Sequence, residues 1–101
     1  MEVKEFQNKI IEYAAKWAKK RKISPDEQES FIHLVQEVGE LARQYVNLRW
    51  RKEKYNKKEI EDAIGDITIE LVMLAHIRGL NIEEVILESI KEGEKLLEEE
   101  L

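Results

Sequence analysis

The chain has 101 residues, 43% hydrophobic and 39% charged, with a formal net charge of −5 at pH 7; this describes one domain with one modest core, and the acidity argues against non-specific nucleic-acid binding, which needs Lys and Arg to neutralise phosphates. It has no cysteine, which excludes a disulfide framework and thiolate chemistry. No apolar run approaches the ~18 residues of a membrane span and the N-terminus lacks the apolar stretch of a signal peptide, so the expectation is no membrane partner and a cytoplasmic location.

One proline, four glycines and long stretches of apolar residues at helical spacing, with no sustained alternation of period two, predict an all-α fold. The first helix is expected over about Val3 to Lys20, with Phe6, Ile10, Tyr13, Ala14 and Trp17 on one side. Ser24-Pro25-Asp26-Glu27 then opens a second helix: Ser24 can cap, Pro25 suits the first helical position, and Glu27 can close a capping box. Phe31, Leu34, Val35, Val38, Leu41, Ala42, Tyr45 and Leu48 form its expected core face, while His33, Glu37, Glu40 and Gln44 lie on another side. A basic segment (Arg49, Arg51, Lys52, Lys54, Lys57, Lys58) follows, with a break at Tyr55-Asn56 and a third helix from Lys57 or Lys58. From Ile67 to Ile77 this helix is apolar nearly all round and needs more cover than three short partners supply, which predicts a homo-oligomer, a dimer or a tetramer. Gly79 is placed for a left-handed cap, and Asn81 with Glu84 for the N-terminus of a last helix from Ile82 to about Glu98. The whole of 1–101 reads as a single four-helix bundle.

Two acidic clusters carry the chemistry. Glu37 and Glu40 sit on the second helix, and Glu59, Asp62 and Asp66 share one strip of the third, at ~100° per residue. Among 22 acidic residues such spacing also fits a merely solvated face. The third-helix strip, however, continues into Ile69, Met73 and Ile77, which belong under cover. Carboxylates are the hard ligands Mg²⁺ prefers, with Mn²⁺ as a possible substitute, and a Mg²⁺ so held completes its shell with water and substrate phosphates. A basic segment beside such a face suits a nucleoside triphosphate, so Arg49 and Lys54 are candidate phosphate contacts. His33 and Gln44, beside the second-helix acids, are candidate contacts to base, sugar or phosphate. Of the aromatics able to stack on a base, Tyr13 and Trp17 are better explained as core. Trp50, among arginines, fits base contact as well as packing.

With Glu37-Val38-Gly39-Glu40-Leu41-Ala42, Ala63-Ile64-Gly65-Asp66-Ile67 and Ala75-His76-Ile77-Arg78-Gly79-Leu80, the chain resembles the MazG-like, all-α nucleoside triphosphate pyrophosphohydrolases. Phosphoribosyl-ATP pyrophosphohydrolase, which shares that fold, is the nearest alternative; the Val-Gly and Ile-Gly-Asp surroundings fit the MazG-like pattern better. The resemblance implies a Mg²⁺-dependent enzyme that cleaves a ribo- or deoxynucleoside triphosphate to the monophosphate and pyrophosphate. In the signature Glu-x-x-Glu followed by Glu-x-x-Asp, Glu37, Glu40 and Asp66 match the first, second and fourth acids. Ala63 stands where the third belongs. Asp62, one residue earlier, is the preferred replacement as metal ligand, with Glu59 as the other. Glu37 or Glu40 would orient or deprotonate the attacking water, and the basic segment would stabilise the leaving pyrophosphate. The reading from another class is a non-catalytic helical interaction module, which Ala63 favours.

Overall fold

The computed structural model describes residues 1–24 and 26–100. Among them are four α-helices and one short 3₁₀ turn, with no strand: α1 (Val3–Arg21), α2 (Glu27–Trp50), the turn Lys52–Lys54, α3 (Lys57–Ile77) and α4 (Ile82–Glu100). No helix among the described residues is long and apolar enough to cross a membrane.

The boundaries follow from local chemistry. The cap of α2 is Asp26 rather than Ser24: its carboxylate accepts the backbone N–H of Glu29 at 2.8 Å, and Glu27 is the first helical residue. Aspartate supplies negative charge to the helix N-terminus as well as an acceptor, which serine does not. Pro25 lies outside the described residues. Asn56 caps α3 by accepting from the Lys58 N–H at 2.9 Å, and Asn81 does the same for Glu84 at 3.1 Å at the start of α4. Gly79 has φ +70°. Its N–H donates to the His76 carbonyl at 2.9 Å and the Leu80 N–H reaches the Ala75 carbonyl at 2.8 Å, closing the end of α3. No other heavy atom lies within 4 Å of where a Cβ would stand at Gly79. Gly79→Ala is therefore expected to cost about 1 kcal/mol through backbone strain alone, a fall of roughly 4–8 °C in a circular-dichroism melt.

α2 and α3 make an antiparallel hairpin. Gln44 meets Glu59, Glu37 and Asp66 border the same cleft, and Arg78 pairs with Glu27 at the far end. α1 lies across α3, where Ile10, Val72 and Met73 form the buried cluster, with Phe6, Ala14, Ile69 and Ile82 against it.

Three features depart from the sequence expectation. The apolar stripe of α2 is not a core face within the chain. The side turned to α3 carries buried Ser30, Gln44 and Asn47 with half-buried Leu34, Glu37 and Leu41, whereas Phe31, Val35, Val38 and Tyr45 are exposed. Buried polar side chains are tolerated there because they are satisfied: Gln44 uses both ends of its amide and Asn47 donates to the Lys54 carbonyl at 3.4 Å. α3, expected to lack cover, lies at the centre with Val72, Met73 and Ala75 buried, while Ile64 and Leu71 stay exposed on it and further exposed apolar residues are spread over α2 and α4. Finally, α4 is less a stave than an appendage: Ile82 rests on the core and none of its residues is buried.

Candidate functional site

Two cavities meet along the α2–α3 hairpin. The first, about 570 Å³, is bordered by Glu37, Glu40, Arg43, Gln44, Glu59, Asp62, Ala63 and Asp66. The second, about 420 Å³, lies between the end of α1 and the hairpin and is lined by Tyr13, Trp17, Arg21, His33, Met73 and Glu70, among others. Glu37 and Asp66 border both. They can do so because they face each other across the hairpin, where α2 carries Glu37 at its middle and α3 presents Asp66 at the same level.

The acidic cleft contains every carboxylate anticipated from the sequence. Glu37, Glu40, Asp62 and Asp66 are all on its wall, and Glu59 joins them. Ala63 is 3% exposed, so the position where the third acid was expected is closed over by packing, and the flanking Glu59 and Asp62 provide the carboxylates. The Glu59 carboxylate is held by a hydrogen bond from the Gln44 side-chain amide. Asp62 engages Lys58 at 2.5 Å, an exposed i,i+4 pair that water screens and a cation can displace. Glu37 is raised above the usual carboxylate range by partial burial first, then by the charges of Glu40 and Asp66, a hydrogen bond shared with Glu40, and the charge of Glu70. Glu70 is raised by burial, with His33 opposing the shift and Asp66 adding to it.

The donor set of the cleft has the chemistry of a site for a hard divalent cation but not yet the geometry. Five carboxylates border one cleft with no sulfur or imidazole on its wall, which matches Mg²⁺ or Mn²⁺ in chemistry and charge. Among the described residues, however, no three His, Asp or Glu side chains converge on a common point. Convergence therefore needs rotamer changes, which Glu40, Asp62 and Asp66 have room for as exposed side chains.

The expected substrate contacts fare unequally. His33 lines the second cavity. Gln44 borders the acidic cleft but is 4% exposed: its NH₂ donates to Glu59 and its carbonyl accepts the Asn56 N–H at 2.8 Å, so both ends of the amide are engaged in pinning α2 to the start of α3. Trp50, Arg49 and Lys54 border neither cavity. Trp50 is 69% exposed with the Arg49 guanidinium 5.1 Å over its ring. Of the basic segment only Lys58 reaches the cleft wall, through Asp62; Arg49 and Lys54 border neither cavity, because α2 continues to Trp50 and carries the turn past the acids. Aromatic surface comes instead from Tyr13 and Trp17, the latter with the Arg21 guanidinium 4.7 Å from its ring centre. Their i,i+4 spacing on α1 was the available signal. Arg43 was missed by the sequence reading; it stands three residues after Glu40, within reach on the same side of the helix.

Clustered carboxylates with raised proton affinity make stability depend on pH. The folded state holds Glu37 and Glu70 protonated to a higher pH than the unfolded chain, so the stability they confer is complete below the ordinary carboxylate value of about 4.3 and is lost as pH rises through their raised values. Without divalent cation, melting temperature is expected to fall across that window. Millimolar Mg²⁺ is expected to restore it at pH 7.5 and to do little at pH 4, since ionised ligands are needed. Glu37→Gln should raise the metal-free melting temperature at pH 7.5 and blunt the Mg²⁺ response; thermal melts at the two pH values check both.

The chain matches no known family model and no curated protein.

Proposed function

We propose that the chain is a divalent-metal-dependent nucleoside triphosphate pyrophosphohydrolase, releasing pyrophosphate and the nucleoside monophosphate. The observation carrying this reading is the junction of the two cavities at Glu37 and Asp66. A nucleotide has two chemically unlike ends, and this arrangement offers a fitting wall to each. The aromatic cavity, with Trp17 and Tyr13 on its wall and His33 and Gln36 as hydrogen-bonding groups, suits a base and sugar. The acidic cleft suits metal-bridged phosphates, with Glu37, Glu40, Asp66 and Asp62 or Glu59 as the ligands.

Bound there, a divalent cation would neutralise phosphate oxygens and lower the pKa of a coordinated water. Glu37, which borders both cavities, would take a proton from a water near the phosphates, and Glu40 would orient it. Arg43 brings positive charge to the same cleft, the part first given to the basic segment.

The non-catalytic module is favoured by one observation, the absence of convergence among the acids of the described residues. Phosphorus NMR of the protein with Mg²⁺ and a nucleoside triphosphate separates the readings. Growth of a pyrophosphate signal with the monophosphate supports the proposal. Unchanged triphosphate, or orthophosphate with the diphosphate, contradicts it.

A further inference from the structure

The aromatic cavity holds one carboxylate that the fold leaves unpaired. Glu70 lines it and is half-buried. Among the described residues it takes part in neither of the two ion pairs and in no side-chain hydrogen bond. Its oxygens are not sealed in the core, since no wholly buried polar side-chain atom among the described residues lacks a partner; they open onto the cavity. Beside Trp17, Ile69 and Met73 the carboxylate has lost hydration without gaining a donor, a cost that a donor on a bound molecule offsets. The same burial lifts its proton affinity.

Its place along the hairpin decides which part of a nucleotide it would meet. Glu70 stands one helical turn beyond Asp66 on α3, and His33 one turn before Glu37 on α2. Because the two helices run antiparallel, both steps lead the same way, from the acidic junction into the aromatic cavity. One such turn is about 6 Å along the axis at 1.5 Å per residue, and there the His33 charge acts on the Glu70 carboxylate across the hairpin. The next turn brings Ser30 and Met73, both buried and both on the cavity wall. With phosphates at Glu37 and Asp66 and the ring against Trp17 and Tyr13, the sugar would span the first turn and the hydrogen-bonding edge of the base would arrive at Glu70.

An ionised carboxylate only accepts, so it suits an edge that donates. His33, Gln36 and Ser30 can each both donate and accept, and none of them separates one kind of edge from another. Arg21 and Glu29, also on the wall, are exposed, where water competes for them. Cytosine and adenine present an exocyclic amino group, for which a glutamate is a fitting acceptor. Uracil and hypoxanthine carry a carbonyl oxygen at the same place, which sets acceptor against acceptor.

We propose that Glu70 selects the base of the nucleotide, accepting a hydrogen bond from an exocyclic amino group and so favouring amino-bearing bases over their keto counterparts. The selection rests on the nucleotide reading for where the base lies, and adds the chemical class of that base.

Nucleosides test this apart from hydrolysis, because they carry no phosphate and need no metal. Cytidine with uridine, and adenosine with inosine, form pairs that exchange an amino group for a carbonyl on one ring. The chain's two tryptophans give two indole N–H signals in heteronuclear NMR: Trp17 reports on the cavity, and Trp50, which borders neither cavity, is the control. At a pH of about 8, above the ordinary carboxylate range, cytidine and adenosine should shift the Trp17 signal with a Kd at least about tenfold lower than uridine and inosine, the scale of one hydrogen bond to a charged group. Glu70→Gln has the same shape and can donate as well as accept, so each pair should come within about threefold while helicity stays native. A residue that only supports the fold would leave the ratio unchanged. Equal affinity within each pair in the wild type, no binding at Trp17, or a preference that survives Glu70→Gln overturns the inference. Pyrophosphate assays keep the two readings apart. Nucleoside preference without pyrophosphate release from CTP or ATP upholds the base selection and removes the hydrolase, whereas release from CTP and UTP at equal kcat/KM overturns the selection and leaves the hydrolase.

Discussion

Asp66→Asn is expected to reduce nucleotide hydrolysis by at least about 100-fold while leaving the protein folded. Asp66 borders both cavities and is exposed, so its removal takes little from packing. Under the proposed reading it takes away a metal ligand at the point where phosphates join the nucleoside. Losing even an outer-shell partner of a metal site costs 10–100-fold, and a direct ligand should cost more. The loss should fall on kcat and on Mg²⁺ affinity together, with partial recovery at high Mn²⁺. Trp50→Ala, Arg49→Ala and Lys54→Ala, which lie away from both cavities, should leave kcat/KM within about threefold, as expected of surface positions that touch nothing in the site. Steady-state kinetics across a Mg²⁺ titration measures the contrast.

Gln44→Ala is expected to give the largest loss of stability. The side chain is 4% exposed, and its amide joins two elements: the carbonyl accepts the Asn56 N–H at the cap of α3, and the NH₂ holds Glu59. Truncation removes the partner of the Asn56 N–H and of the Glu59 carboxylate, both on exposed residues, and opens a gap between α2 and α3. A neutral hydrogen bond contributes about 0.5–1.5 kcal/mol and one to a charged group about 1.5–3 kcal/mol, so the sum is about 2–4.5 kcal/mol, or a melting temperature lower by roughly 10–20 °C. Gln44→Glu distinguishes the two bonds. It keeps the acceptor for Asn56 but faces Glu59 with a second negative charge, so its deficit should shrink at acidic pH. Had Gln44 been a substrate contact, as its place beside Glu40 suggested, truncation would raise KM with little change in melting temperature.

The helix ends were legible in the sequence because they depend on neighbours a few residues apart. Asn56, Gly79 and Asn81 behave as their types dictate. The α2 cap moved by two residues only because Ser24 and Asp26 both qualify. The acids were legible for a similar reason, since spacing on two helices is enough to bring them to one cleft once the helices pair. Which side of α2 faces inward was not legible. Apolar residues occur on both sides, Leu34 and Leu41 inward and Val35 and Val38 outward. The inward side is defined by polar Gln44 and Asn47, whose burial is tolerable only because partners far along the chain satisfy them. Periodicity records where apolar residues lie and carries no information about such partners. The same limit applies to the aromatic residues. Trp50 looked functional from its arginine neighbours, while Trp17, on what read as a packing stripe, lines a cavity because the α1 end overhangs the hairpin without closing on it.

The measurement that bears most directly on the central claim is pyrophosphate release from a panel of ribo- and deoxynucleoside triphosphates with Mg²⁺, comparing the wild type with Glu40→Ala. Glu40 is exposed on the wall of the acidic cleft, so the variant should keep its helicity and melting temperature. The account predicts release by the wild type, with a preference among bases, and loss of release in Glu40→Ala. A folded wild type that releases no pyrophosphate from any nucleotide, or a Glu40→Ala variant as active as the wild type, would contradict it.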